Sequence, residues 1–270
     1  VTEMWYSVDT TDKMLRADYV IPHGISKVNS LVRFELGFLF LNQRNMPCFC
    51  DGQNVKELTG SLQKEISSLC ETSADVVGSL FKQNAKTFYV LTFRADRKTY
   101  VYDIEAAVWY QWGSWNAGAG DLRAWNAQSI LEVPYWNRWF GYSLDHNVVY
   151  SIKSTLKQDN AVTIRPAFEF TVDHDSQLEK RTRKLVLRVS TGEGVALLVA
   201  NMMYQMSTNN KPFGSERFIS LLTVGNLNPH VVIPTAGSYQ MRKHRISCSD
   251  NVAFKIFGID ESAEGVDDGQ

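Results

Sequence analysis

No apolar run in this sequence approaches the roughly 18 residues of a membrane-spanning helix, and no stretch reads as a signal peptide. No membrane span is therefore expected. Charge of one sign is missing too. With 28 Lys and Arg against 29 Asp and Glu the net charge is -1, so no global field draws the protein to nucleic acid or anionic lipid. Cysteine is scarce: Cys48, Cys50, Cys70 and Cys248. Cys48 and Cys50 stand at i and i+2 of a strand-like run and share one face, which disfavours a bridge between them. Without a second Cys/His pair at ligand spacing they make a poor zinc site, and buried free thiols in a reducing cytoplasm are the plainer reading. No G-x-S-x-G, P-loop, H-E-x-x-H or glycine-rich strand-to-helix turn occurs. Accordingly no catalytic residue, metal ligand or cofactor is assigned.

What is present is strand. A composition 44% hydrophobic and 12% aromatic belongs to a folded chain rather than a disordered one. Segments such as "VRFELGFLFLNQ", "KTFYVLTF", "KTYVYDIE", "RWFGYSL", "RKLVLRVS" and "VAFKIFGI" are short, aromatic or β-branched and mostly alternating. Turn signals punctuate them: "DG" at 51–52, "DHN" at 145–147 and "STNN" at 207–210. One helix is predicted, in "GSLQKEISSLCE", where Leu62, Ile66 and Leu69 share a face and Ser61 or Gly60 can cap it. The fold class is all-β with one short helix.

The strands repeat. "FLFLNQRNMPCFCDG", "YVLTFRADRKTYVYDI" and "FGYSLDHNVVYSI" each place an apolar strand, a polar turn and a second strand, ending at Asp51, Asp103 and Ser151. The intervals are 52 and 48 residues, and a period near fifty built from hairpins is the signature of propeller blades. A blade is a small sheet whose faces its neighbours must cover, so Tyr100, Tyr102, Trp109, Trp112, Trp139 and Tyr142 are the expected inter-blade filling. An ordinary β-sandwich is the alternative. The blades are assigned to residues 1–160. A C-terminal β region over 161–270 closes or buttresses them, and its last stretch, 260–270, is an acidic, mobile tail with five acids and no base. "YQWGSWNAGAGDLRAW", with Gly113, Gly118 and Gly120, reads as a long inter-blade crossing, with a partner-docking tip as the other reading.

Groups that converge on chemistry are few. Asp173, His174 and Asp175 would alternate faces on a strand and read as a solvated loop. His23 and His230 lie beside prolines at element ends and read as structural or exposed. Asp51 and Asp103 could be imagined as the paired carboxylates of a glycosidase, but equivalent turn positions explain the repetition better. Basic residues cluster twice: Lys180, Arg181, Arg183, Lys184 and Arg188 in "EKRTRKLVLR", and Arg242, Lys243, His244 and Arg245 in "QMRKHR". Such runs are commonly solvated strand ends or salt-bridged subunit contacts. In a symmetric oligomer they could instead ring a channel and face DNA.

One segment is more specific. "FYVLTFRADRKTYVYDIEAAVWYQWGSW", residues 88–115, resembles the core signature of the packaged-DNA stabilisation, or tail hub (nozzle), proteins of short-tailed bacteriophages: F-Y-x-L-T-F, then T-x-x-Y-D, then a Trp-rich strand. Upstream "IPHGISKVNSLVRFELGFLFL" and "DGQNVKELTGSLQKEIS", and downstream "MSTNNKPFGSERFISLLTVG", "GSYQMRKHRI" and "NVAFKIFGI", resemble that family in the same order, so the likeness covers most of residues 20–260. The resemblance implies a β-propeller subunit of a hexameric tube in the virion tail, below the portal and its adaptor ring. Such a subunit extends the double-stranded DNA channel, helps retain the genome and holds tail-tip or tailspike proteins. It implies no catalytic residue and no cofactor. A free-standing carbohydrate- or protein-binding propeller is the alternative, and a hydrolase with its site at the propeller mouth a third. Three repeats are fewer than the roughly four a closed propeller needs. Either further blades precede Val1, which is not a Met start, or the C-terminal strands complete the ring.

Overall fold

The structure is a computed structural model describing residues 2–7, 15–21, 23–35, 37–52, 54–116, 121–143, 146–153, 158–159, 162–173, 179–190, 199–223, 230–235, 237–250 and 255–265. The fold is all-β with one short α-helix, and the chain divides into two compact units, Val1–Asp159 and Asn160–Gln270.

Unit 1 opens with an antiparallel hairpin, β1 (Thr2–Ser7) and β2 (Leu15–Ile21). A first meander follows, β3 (Val32–Phe34), β4 (Gly37–Leu41), β5 (Pro47–Cys50) and β6 (Val55–Glu57). "VRFELGFLFLNQ" is thus two strands rather than one, because Glu35 takes a positive φ of 47° and turns the chain. Helix α1 (Gln63–Thr72) leads into the second meander, β7 (Val76–Gln83), β8 (Lys86–Phe93), β9 (Lys98–Asp103), β10 (Val108–Asn116) and β11 (Asp121–Ala124). The helix starts one or two residues later than its sequence signals suggest. Leu62 is the N-cap, without a side-chain cap, and Gly60 contributes its carbonyl to the Gln63 amide. The third meander is β12 (Ser129–Val133), β13 (Arg138–Ser143) and β14 (Val148–Ile152), with a 3-10 turn at Pro134–Trp136 between its first two strands.

The supposed long crossing at 110–125 is largely β10 and β11, paired from Gly113↔Ala124 to Asn116↔Asp121. Gly113 belongs to this ladder, where a Cβ would stand 2.3 Å from the Arg123 carbonyl. Gly118 and Gly120 lie outside the described residues.

The three meanders stack. Alternation along β8 and β9 sends Tyr89, Leu91, Phe93, Tyr100 and Tyr102 to a core shared with Leu39 and Leu41 of the first meander and Ile66 and Cys70 of the helix. The intervening residues Phe88, Val90 and Val101 face Ala127 and Ile130, against which Trp139 and Ile152 also pack. The second sheet is therefore covered on both faces by neighbouring sheets, which is the propeller-like arrangement. Each fully buried Leu or Val in these layers contributes about 1.5–3 kcal/mol of gross burial energy.

Two-residue strands β15 (Gln158–Asp159) and β16 (Val162–Thr163) flank the boundary between the units. Unit 2 contains β17 (Ala167–Asp173), β18 (Lys180–Ser190), β19 (Val199–Thr208), β20 (Arg217–Thr223), β21 (His230–Pro234), β22 (Ser238–Tyr239), β23 (Met241–Ser247) and β24 (Lys255–Gly265). One sheet runs β17-β23-β19-β20. In the other, β18 is flanked by β21 and β22 on one edge and by β24 on the other. Leu185, Leu187 and Val189 of the second sheet share a core with Ala200, Met202, Tyr204 and Ile246 of the first, so unit 2 is a β-sandwich. Residues 260–265 of the expected acidic tail are strand, because Ile259 enters this core and the acids that follow run beside basic β18.

Candidate functional site

The repeat-equivalent aspartates serve turns. Asp51 Oδ1 accepts from the Asn54 amide at 2.7 Å, and Asp103 Oδ1 accepts from the Ala106 amide at 2.9 Å. Asp103, 1% exposed, also takes an ion pair from Lys86 Nζ at 2.7 Å. Burial pushes its carboxyl upward, but the Lys86 contact and the Ala106 amide outweigh that and hold it below the ordinary carboxylate range. Ser151 breaks the pattern: it lies inside β14, not in a turn, and its buried hydroxyl has no hydrogen-bond partner.

The aromatic side chains named from the sequence divide by face. Tyr100, Tyr102 and Trp109 lie in the layer toward the first meander, and Trp109 Nε1 donates to the Leu58 carbonyl at 3.3 Å. Tyr100 donates to Glu65 of the helix at 2.7 Å, beside the Lys98–Glu65 ion pair. Those two donors pull the Glu65 carboxyl down. Trp112 and Trp139 lie in the layer toward the third meander, with their rings 6.1 and 5.6 Å from Phe81. Tyr142 joins neither layer. It faces away from the second meander, and its hydroxyl donates to Asn147 Oδ1 at 3.1 Å.

The basic run of β18 is on the outside of the sandwich. Leu185 and Leu187 point inward, while Arg181, Arg183, Lys184 and Arg188 are all exposed. Along the strand these cations span about 23 Å at roughly 3.3 Å per residue. Arg188 pairs with Asp260 of β24 at 3.3 Å, and its guanidinium lies over Gly258, where a Cβ would meet Nη2 at 2.6 Å. Lys180 turns inward and is buried.

Strand alternation splits the second run. Arg245 is half-buried on the outer face, paired with Glu169 at 2.5 Å and set over the Phe213 ring at 4.0 Å, with half-buried Lys243 on the same face. Arg242 and His244 go inside. Arg242 is therefore not a surface cation: it is 0% exposed, stacks on Tyr239 at 3.8 Å, and reaches Glu261 of β24 at 3.4 Å. His244 lies between Tyr204, whose hydroxyl is 2.7 Å from Nδ1, and Glu261, 3.5 Å from Nε2. Phe170 stacks on its ring at 4.9 Å. Burial raises the Glu261 carboxyl, but His244, Thr182 and Arg242 more than offset this and its pKa is lowered. Burial pushes the Tyr204 hydroxyl up to about 12. This network was missed from sequence. Its only signal was the Arg-x-His spacing, which places both side chains on one face.

The remaining groups do not converge. Asp173 ends β17, while His174 and Asp175 lie outside the described residues. His230 is exposed at the start of β21 and His23 is half-buried. All four cysteines are buried and free, and burial pushes Cys48 and Cys70 up to about 12. Among the described residues no three His, Cys, Asp or Glu side chains gather as metal ligands, and no helix is long and apolar enough to cross a membrane.

No protein-family model matches the chain, and no curated protein matches it. Among solved structures it is similar to an exo-beta-1,3-galactanase from Phanerochaete chrysosporium, solved with beta-1,3-galactotriose, at 12% identity and a TM-score of 0.24. That match covers 84% of this chain and 65% of the galactanase chain. A structure described as a glycoside hydrolase matches at 9% identity and a TM-score of 0.19, over 83% of this chain and 69% of that one. The chain thus spans just under two thirds of the galactanase, and at these TM-scores the likeness carries no argument about chemistry.

Proposed function

We propose that the chain is a structural subunit of a phage tail hub or nozzle. It assembles as a ring, most simply of six, that extends the DNA channel below the portal and adaptor, helps retain packaged DNA and docks tail-tip or tailspike proteins in the virion. The observation that carries this reading is the exposed row Arg181, Arg183, Lys184 and Arg188 on one face of β18. A register shift between Thr182 and Leu185 lets the adjacent Arg183 and Lys184 both lie on the outer face, so the four cations form an irregular row of about 23 Å, roughly seven times the 3.4 Å rise per phosphate of one DNA strand. Such a row meets a passing phosphate backbone without reading bases. Symmetry repeats it around a channel, which reconciles a local basic face with a net charge of -1.

A mechanical role also agrees with how unit 1 uses its polar groups. Asp51 and Asp103 hold turns, and the glycosidase reading would need both carboxylates aimed at a substrate. The deciding experiment is the solution mass of the purified chain, followed by negative-stain images. Rings of several copies around a duplex-wide channel are expected. A monomer of 30.6 kDa at every concentration overturns the reading.

A further inference from the structure

Arg188, the last cation of the β18 row, is held differently from Lys184. Its partner across the ladder is Gly258 of β24, while Asp260 stands opposite Val186, two residues further along β24 and on the same outer face. Arg188 and Asp260 are therefore diagonal neighbours, a spacing that long side chains can bridge. The guanidinium crosses the β24 backbone to make that bridge, with Arg188 Nε 3.3 Å from Asp260 Oδ2. Gly258 admits the crossing, because a Cβ there would stand 2.6 Å from Nη2, 2.8 Å from Nε and 2.9 Å from Cζ. Lys184 is exposed and has no ion-pair partner among the described residues.

The Arg188 pair is formed in the open. Side-chain exposure is 51% for Arg188 and 61% for Asp260, so water screens the attraction and the pair adds little to stability. The carboxylate nonetheless takes the same fork of N–H donors that a phosphate would take. Displacing it would leave the Asp260 anion beside the incoming phosphate, and like charges at that distance repel. A polyanion laid along β18 thus meets Lys184 with its charge available and Arg188 with its charge already matched.

We infer that Asp260 is a built-in competitor for phosphate, which occupies Arg188 and withholds one contact of the row from the duplex backbone. The inference rests on the reading of β18 as a DNA-facing row. Its consequence is a grip weaker than the number of basic residues suggests, which suits a surface that DNA slides past.

The test measures the affinity of the assembled full-length chain for a fluorescent duplex at 50–200 mM salt. Lys184→Gln is expected to lower the slope of log affinity against log salt by roughly 0.9, while Arg188→Gln leaves it at the wild-type value. Asp260→Asn is expected to steepen the slope by roughly 0.9, which is an additional loss of roughly 3.5-fold in affinity across that salt range. Combining Asp260→Asn with Arg188→Gln should return the slope to wild type. The melting temperature of each variant is expected to stay unchanged. A lower melting temperature for Asp260→Asn with an unchanged slope would make Asp260 a clasp between strands and overturn the inference. So would a steeper slope that persists in the double variant, since the gain would then come from net charge rather than from Arg188. An Arg188→Gln slope as low as that of Lys184→Gln overturns it as well. These three outcomes leave the DNA reading of β18 standing, whereas an assembled wild type whose duplex binding ignores salt overturns both.

Discussion

Phe140 stands opposite Ser151 across the third hairpin just as Phe88 stands opposite Asp103 across the second, so the place that holds a turn-forming carboxylate in one repeat holds an unbonded hydroxyl in the next. The carboxylate therefore has a measurable role. Asp103→Ala removes the buried carboxylate whose Oδ2 accepts from Lys86 and whose Oδ1 accepts from the Ala106 amide, and is expected to cost about 1–3 kcal/mol at pH 7. Most of that comes from the buried amide contact, since half-exposed Lys86 is screened by solvent. Because the folded carboxyl is held below its ordinary range, its stabilisation is present above the unfolded pKa near 4 and is lost as pH falls through the lower folded value. The gap between wild type and variant in urea unfolding should accordingly narrow below about pH 4. Asp51→Ala, at an exposed turn, is expected to cost about 0.5 kcal/mol or less. Equal losses at the two sites would refute this assignment of roles.

A second prediction concerns the joint between the first two sheets. Tyr89, fully buried, donates to the Ser30 carbonyl at 2.7 Å, and Ser30 in turn accepts from the Leu41 amide through its hydroxyl. Gly78 admits this arrangement: a Cβ there would stand 2.4 Å from the same carbonyl. Tyr89→Phe leaves that carbonyl without its hydroxyl donor, at about 1–3 kcal/mol. Gly78→Ala should cost at least as much, because the atom it meets is backbone and cannot swing aside. Chemical denaturation of both variants checks the order, and a stable Gly78→Ala would show that the joint is looser than its geometry.

The sequence carried the hairpin repeat because period-2 alternation and turn residues are local, and the pairing of Asp103 with its own turn needs only three residues. It carried the helix face of Leu62, Ile66 and Leu69 for the same reason. What it did not carry is non-local. The acids at 260–265 read as a tail because their partners on β18 lie some 75 residues upstream. Arg242 read as a surface cation because a run of four basic residues conceals which two point inward until the opposing sheet is known. The exposure of Leu131 and Val149 on the third meander needed the register of β12, β13 and β14, since both look the same in sequence whether covered or bare.

The basic row of β18 can be separated from structural arginines by salt dependence. If duplex DNA passes along this row, each phosphate contact contributes about 0.9 to the slope of log affinity against log salt. Arg181→Gln and Lys184→Gln are then each expected to lower that slope by roughly 0.9, with the melting temperature unchanged. Measurements of the assembled protein on a fluorescent duplex at 50–200 mM salt would read this. Identical slopes for wild type and the double variant would remove DNA from the reading of β18.

Glu261 gives the sharpest test of the sandwich. Its side chain is 4% exposed and faces Arg242 at 0%, so Glu261→Gln leaves a guanidinium buried without its anion, at about 3–5 kcal/mol. Exposed Glu169, paired with Arg245, offers the contrast: Glu169→Gln is expected to cost about 1 kcal/mol or less despite its shorter contact. The sign of the pH effect is fixed by the lowered Glu261 pKa, so its contribution is present above the ordinary carboxylate value and disappears as pH falls through the folded one. Wild type should therefore lose unit 2 in acid first through β24, seen as early amide exchange over 255–265, whereas Glu261→Gln should show that exchange already at neutral pH. Pairing Glu261→Leu with Arg242→Met removes both charges at once and should recover most of the loss, since an apolar pair of similar volume carries no desolvation penalty. A single variant as stable as wild type, or a double variant no better than the single, would show that β24 is held by its backbone ladder and Ile259 rather than by the buried pair.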